Sequence, residues 1–347
     1  STRKAIELNP DHAIAHCNLG NILREFGEKQ EAESSLRKAI ELNPNCTDAH
    51  SILGTLLSEV GRLKDASKHL SSASRLAPNN IIHFINSNLM LSPIVENNLQ
   101  IDSERSQYKK EINKLKDKTN MYYEKPMDFN SSIFNLAYQN RPDDREILED
   151  FSKAISKTKG IIFNEFSRDK YLFASSKRKK LKIGVCSMYL IENHSVGKCF
   201  INVLKDLAKT DIDMTLYIAP DNMTYPFKKE INDSFNKVIK LPNSPKLSAD
   251  IILSDQLDLI FYPDIGMNSF TYILALSRLA LVQVNSLGHG STSGIKNIDY
   301  YITHGIEPRK SDLEYTEKLV RFKRLPFNFA IPIIDENKIK KKDIIIS

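Results

Sequence analysis

Three short stretches in the second half of the chain combine residue types that could do chemistry. The first, IENHSVGKC over residues 191–199, sets His194, Ser195 and Gly197 between the apolar run KIGVCSM and a helical pattern starting at Val196. Histidine suits proton transfer near neutral pH, and the free N–H groups of a helix start favour an anion. His194 therefore reads either as a catalytic group or as a plain helix cap. The second stretch, YPDIGM over 262–267, leaves the run LDLIF with Asp264 held in a tight turn; the carboxylate either joins the chemistry or caps the turn. The third, GHGSTSG over 288–294, surrounds His289 with glycines and hydroxyls after the run LVQVN. Such a loop either approaches a phosphate closely or is simply flexible. No GxGxxG and no GxxxxGK[ST] occurs, which argues against dinucleotide and P-loop chemistry, and no His or Cys spacing suggests a metal.

Chemistry at three loops requires elements that bring the loops together. Short β-rich runs at 182–188, 214–219, 237–241, 257–262, 281–285 and 299–303 alternate with helical patterns at 196–209, 226–235, 245–256 and 270–279. That alternation predicts a parallel sheet with right-handed crossovers, a Rossmann-like layer structure. In such sheets ligands sit beyond the carboxyl ends of the strands, where all three stretches fall.

The first eighty residues obey a different rule. Offsetting the chain against itself by 34 residues aligns Ala5, Ala39 and Ala73; Pro10, Pro44 and Pro78; Gly20 with Gly54; Gly27 with Gly61; and Leu36 with Leu70. This is the period of a tetratricopeptide repeat, with small residues where two helices pack closely and a proline after each second helix. His16 and His50 occupy a packing position and read as structural. A helical solenoid offers a concave groove for an extended peptide or serves as a packing platform. From Ile81 to about Ser176 the repeat vanishes into a polar, helix-prone bridge, with helices expected at 102–118, capped by Asp102 or Ser103, and at 143–157. The expected organisation is thus repeats over 1–80, a bridge over 81–176 and a sheet domain over 177–347.

Composition narrows the setting. With 41% hydrophobic and 27% charged residues the chain is of ordinary globular type, and no run approaches the roughly 20 apolar residues of a membrane helix. Cys17, Cys46, Cys186 and Cys199 form no disulfide framework and read as reduced thiols, so a cytoplasmic location is expected. The net charge of +6 is concentrated in KRKKLK at 177–182 and in the tail at 338–342, without interleaved aromatic residues. Nucleic acid is accordingly a disfavoured partner, whereas open repeat ends suit a homo-oligomer.

Taken together, the repeats, KIGVCSMYLIENHSVGKCF, DLIFYPDIGM, ALSRLALVQVNSLGHGSTSGIKNIDYYIT and EYTEKLVRF resemble the O-linked N-acetylglucosamine transferases of bacterial and plant type, glycosyltransferase family 41. The order and spacing of all four blocks carry the resemblance, over about 5–80 and 180–326. It implies a metal-independent, cofactor-free, inverting transfer of N-acetylglucosamine from UDP-GlcNAc to Ser or Thr hydroxyls of a protein or peptide acceptor held by the repeats. The implied fold is α plus α/β: a tetratricopeptide solenoid followed by the N-terminal Rossmann-like half of a GT-B catalytic fold. On the family pattern His194 matches the catalytic histidine, and Asp264, Gly266, His289, Thr292 and Ser293 match substrate-binding positions. This sequence departs in Gly288-His289-Gly290, where Gly-His-Pro is frequent. It also ends at Ser347, before the second half that supplies most UDP contacts in the family, so the resemblance implies little activity from these residues alone.

Overall fold

The computed structural model describes residues 2–92, 94–123, 133–163, 166–191, 194–220 and 234–328. The repeats form helices α1 (Thr2–Leu8), α2 (Ala13–Glu25), α3 (Lys29–Leu42), α4 (Thr47–Glu59) and α5 (Leu63–Leu76). Gly20 and Gly54 are small because the paired helix crosses there: a Cβ on Gly20 would lie 2.5 Å from Leu36 Cγ, and one on Gly54 2.6 Å from Leu70 Cγ. The two histidines repeat the same anchor. His16 Nε2 contacts the Pro10 carbonyl at 2.8 Å and His50 Nε2 the Pro44 carbonyl at 3.1 Å, tying each helix to the turn before it. Both act in packing, as the periodicity implies.

Helices α6 (Ile81–Asn88), α7 (Asn98–Lys116), α8 (Ile133–Leu136), α9 (Asp144–Ile155) and α10 (Arg168–Ser176) follow. Helix α7 starts earlier than the sequence suggests. Asn97 caps it by accepting the Gln100 N–H at 3.0 Å, which leaves Asp102 on the surface to pair with Arg141. The bridge does not hang between domains. Ile82, Ile85, Ile112, Leu148 and Phe151 from α6, α7 and α9 join Ile260, Tyr262 and Tyr272 of the sheet domain in one continuous apolar core.

The sheet domain is built from β1 (Leu181–Ser187), α11 (Ser195–Leu207), β2 (Ile212–Ile218), β3 (Lys237–Lys240), α12 (Pro245–Ser254), β4 (Leu259–Tyr262), α13 (Ser269–Leu276), β5 (Val282–Ser286), β6 (Tyr300–His304) and β7 (Lys318–Phe322). All seven strands are parallel, in the order β3-β2-β1-β4-β5-β6-β7. Six coincide with the expected runs. The seventh, KLVRF, falls outside them: its apolar Leu319 and Val320 are an adjacent pair between Lys318 and Arg321, which offers no alternation. The expected helix at 226–235 and the lysine-rich tail lie chiefly outside the described residues. Among the described residues no helix is long and apolar enough to cross a membrane.

Strand order fixes where a ligand can sit. The chain runs outward from β1 to β2 and β3, then crosses to β4 on the other side of β1 and continues outward to β7. The switch between β1 and β4, at their carboxyl ends, is the place where open α/β sheets form a binding crevice. At the opposite end the basic cluster is neutralised locally: Arg178 pairs with Asp258 at 2.5 Å, Lys180 with Asp211 at 2.6 Å, and Lys182 reaches the Asp255 carbonyl. Much of that charge run therefore secures the sheet's lower edge.

Candidate functional site

Asp264 leaves β4 at the switch and is fully buried. One of its oxygens, Oδ2, accepts the Ser187 hydroxyl at 2.8 Å and the backbone N–H groups of Met188 and Tyr189 at 2.9 and 3.1 Å, all from the end of β1. The other, Oδ1, has no hydrogen-bond partner among the described residues. Burial pushes the carboxyl up to about 6, against the opposing pull of those hydrogen bonds. A buried acceptor with one free oxygen and a near-neutral pKa is an unusual object, since a polar atom left alone in a protein interior costs about 1–3 kcal/mol.

His194 stands on the β1 side of the same crevice. It caps α11 through Nδ1, which accepts the Val196 N–H at 3.2 Å. With that lone pair engaged, the neutral ring carries its proton on Nε2 and acts there as a donor. The ring stacks on Tyr189, centroids 4.5 Å apart, and burial holds its pKa below the usual 6.5. Tyr189 thus links the two groups, touching His194 through its ring and Asp264 through its backbone. Gly197 answers to packing: a Cβ there would collide with the Ile191 carbonyl as the β1 loop folds over the first turn of α11.

The glycine-rich loop after β5 packs directly on the Asp264 turn. Gly288 lies against the Pro263 carbonyl, and Gly266, at φ 92°, leaves the space that His289 fills, since a Cβ would sit 2.6 Å from His289 Cδ2. His289 is buried, stacks on Phe134 of α8 at 4.9 Å between centroids, and is pushed down to about 4 by burial. It is neutral at pH 7. Thr292 and Ser293 are less free than a ligand-binding loop would have them. Thr292 Oγ1 donates to Glu317 Oε2 at 2.6 Å, while the Ser293 N–H and hydroxyl both donate to Glu317 Oε1, the former at 2.8 Å. Both hydroxyls hold the loop's shape, and the arrangement leaves Gly290 and Ser291 facing outward.

The structure thus brings His194, Asp264, Gly266 and His289 together around the β1–β4 switch, with Thr292 and Ser293 behind the last of them. Two participants escaped the sequence reading. Glu317, buried just before β7, is the acceptor that organises the third loop; its only sequence signal is a carboxylate set between Thr316 and Lys318, ahead of the short apolar pair of KLVRF. The bridge supplies the second. Residues 137–145, with Arg141, Asp144 and Arg145, face Gly290, Ser291 and Thr292 across a cavity of about 180 Å³. Ser152 and Glu149 of α9 clamp the same loop, the first donating to the Gly294 carbonyl at 2.5 Å and the second accepting from Thr316. Among the described residues no group of three or more His, Cys, Asp or Glu side chains is placed to hold a metal ion.

Residues 13–46 match the tetratricopeptide repeat family model. No curated protein matches the sequence. Among solved structures the chain is similar to an O-GlcNAc transferase of Thermobaculum terrenum, determined as a lysine-to-methionine mutant, with TM-score 0.59 and 18% identity over 91% of this chain and 58% of that one. The chain therefore spans less than two thirds of the length of that relative. Weaker likenesses are to MamA, at TM-score 0.31 and 19% identity over 45% of this chain and 84% of that one, and to YrrB, described as a TPR protein with an unusual peptide-binding site, at 0.30 and 19% over 52% and 86%. A tetratricopeptide solenoid leading into a Rossmann-type parallel sheet is the architecture this chain has in common with the T. terrenum transferase.

Proposed function

We propose that the chain is the N-terminal portion of an inverting, metal-independent glycosyltransferase that moves N-acetylglucosamine from UDP-GlcNAc to Ser or Thr hydroxyls of protein acceptors. In this reading the sheet domain is one half of a GT-B cleft and the solenoid groove holds the acceptor. The observation that carries the proposal is the convergence of His194 and Asp264 on the β1–β4 switch, the position at which open α/β sheets bind ligands. Transfer to a hydroxyl requires that its proton be removed as the new C–O bond forms. Asp264, with an oxygen that no described residue hydrogen-bonds and a pKa near 6, is the proton sink, reached through an intervening water because the carboxyl itself is buried. His194 contributes its Nε2–H as a donor that orients a substrate oxygen, the role its capping bond selects. His289 and Gly266 shape the floor, and the backbone of Gly290 and Ser291 faces the phosphates.

The test is transfer of labelled N-acetylglucosamine from UDP-GlcNAc to a peptide library, using the protein with any coding sequence that follows Ser347. Turnover that His194→Ala lowers by on the order of a hundredfold while the fold is kept supports the reading. Absence of both turnover and UDP-GlcNAc binding would sink it. One observation favours a second reading, a protein-binding scaffold without catalysis. Thr292 and Ser293 are fully occupied by Glu317, so they have no hydroxyl proton to offer a donor sugar.

A further inference from the structure

The repeats bring two cysteines together: Cys17 of α2 lies in the buried core of the solenoid, and Cys46 at the start of α4 packs against that same cluster from the next repeat, within hydrogen-bonding reach of Cys17. Cys46 occupies a defined position in the 34-residue register, equivalent to His12 and Asn80. All three residues stand at a helix N-cap. His12 accepts the Ala15 N–H and Asn80 accepts the Ile82 N–H, whereas Cys46 stands at the same N-cap position of α4 without a side-chain capping bond, its thiol set beside the start of that helix. A sulfur in that place faces the free N–H groups of a 13-residue helix, which favour its anion. Cys46 is half-buried, whereas Cys17 is buried in the solenoid core. One thiol is therefore reachable from solvent and the other lies behind it.

We propose that Cys46 and Cys17 form a peroxide-responsive pair in the solenoid, Cys46 as the attacking thiol and Cys17 as the resolving one. This goes beyond the transferase reading and does not depend on it. The Cys46 thiolate attacks one oxygen of hydrogen peroxide; the S–O bond forms, the O–O bond breaks, and the hydroxide that leaves takes up a proton to become water. The Cys17 sulfur, having given up its proton, then attacks the sulfenic sulfur; the S–S bond forms, the S–O bond breaks, and a second water departs. Two thiols lose two electrons in all, and one peroxide is reduced to two waters. The resulting bond ties the first helix of one repeat to the start of the next, which fixes the angle between them and hence the curvature of the groove.

The other two cysteines provide an internal control. Cys199 is half-buried like Cys46, but burial raises its thiol, and fully buried Cys186 is raised further. The Cys17 hydrogen bond instead lowers Cys46 to about 6. At pH 6, iodoacetamide should alkylate Cys46 about tenfold faster than Cys199, the gain in thiolate outweighing its lower intrinsic nucleophilicity. Dilute hydrogen peroxide followed by proteolysis and mass spectrometry should yield a peptide pair joined through Cys17 and Cys46, reversed by dithiothreitol. Cys17→Ser keeps a hydrogen-bond donor and should preserve fast alkylation while abolishing the cross-link; Cys17→Ala should lose both. The proposal is overturned if Cys46 reacts no faster than Cys199, if peroxide leaves Cys46 as an uncoupled sulfenic acid trapped by dimedone, or if the cross-link joins Cys46 of two molecules.

Discussion

The solenoid and the sheet domain treat their charged groups in opposite ways. In the solenoid the ion pairs lie on the surface and mostly follow helix spacing, as with Lys4 and Glu7, Arg37 and Glu33, and Lys38 and Glu41. Such pairs are screened and contribute little, so the region is held by repeated small-residue packing. The sheet domain instead buries Asp264, His289 and Glu317 around one crevice. Burial of that kind is unfavourable unless a site needs it, and shifted groups gathered in one place, here Asp264 and His289, are a physical mark of chemistry. The difference teaches that the solenoid spreads its role over a surface, whereas the sheet domain concentrates it at a point.

The largest expected effect tests that concentration. Asp264→Asn should keep the fold, because the amide oxygen still accepts from Ser187, Met188 and Tyr189, yet lower transfer by ~10²–10⁴-fold. The parent rate should rise as pH passes about 6, and the variant should lose that inflection. A variant rate within about threefold of the parent would reduce Asp264 to a turn scaffold and erase the contrast between the regions.

Next, Glu317→Ala strips the acceptor from Thr292 and from both donors of Ser293, leaving them buried. Urea unfolding should register a loss of about 3–4 kcal/mol, more than any single polar truncation on the solenoid surface. A loss below about 1 kcal/mol would mean that α9 alone holds the loop.

His289 supplies a pH test with a definite sign. Its folded pKa, about 4, lies below the usual 6.5, so the unfolded chain binds the proton more readily between those values. Stability from this group is complete above pH 6.5 and is lost as pH falls toward 4, by up to about 3 kcal/mol. Asp264 runs the other way in much the same window, its raised pKa favouring the fold as pH falls. Comparing the parent with His289→Phe at pH 7 and pH 5 isolates the histidine: the variant should gain on the parent at the lower pH. Equal shifts in both proteins would show that His289 gains access to solvent.

The smallest effect belongs to the solenoid. Gly54→Ala forces a methyl against Leu70 and should cost about 1–2 kcal/mol. Hydrogen exchange should speed up in α4 and α5 and stay unchanged in β1 and β4, since repeat contacts are made with neighbours only. Faster exchange throughout the sheet would mean that the two regions unfold as one unit.

Much of this architecture was legible because it is written in local periods. The 34-residue echo of Gly20 in Gly54 and of Pro10 in Pro44 reveals the repeats, and six strands announce themselves as apolar runs between helical patterns. The three loops were legible as well, since chain order alone puts them at carboxyl ends of strands. Asn97 as the cap of α7 was obscured by Asp102 and Ser103 downstream, either of which caps as well on sequence grounds. Strand β7 lacked a period because its Leu319 and Val320 are adjacent between Lys318 and Arg321 and so set up no alternation.

Sequence by itself determined the kinds of element, their order and the residue types available at the switch. Only the tertiary structure decided what those residues are free to do. It spent Thr292 and Ser293 on Glu317, turned His194 into a donor by capping α11 with its Nδ1, and left one oxygen of Asp264 without a partner among the described residues. The physical reason is that periodicity records burial along one element. A hydrogen-bond partner, and the pKa that follows from it, depends on residues such as Ser187 and Asp264, 77 positions apart, that meet only once the sheet has closed.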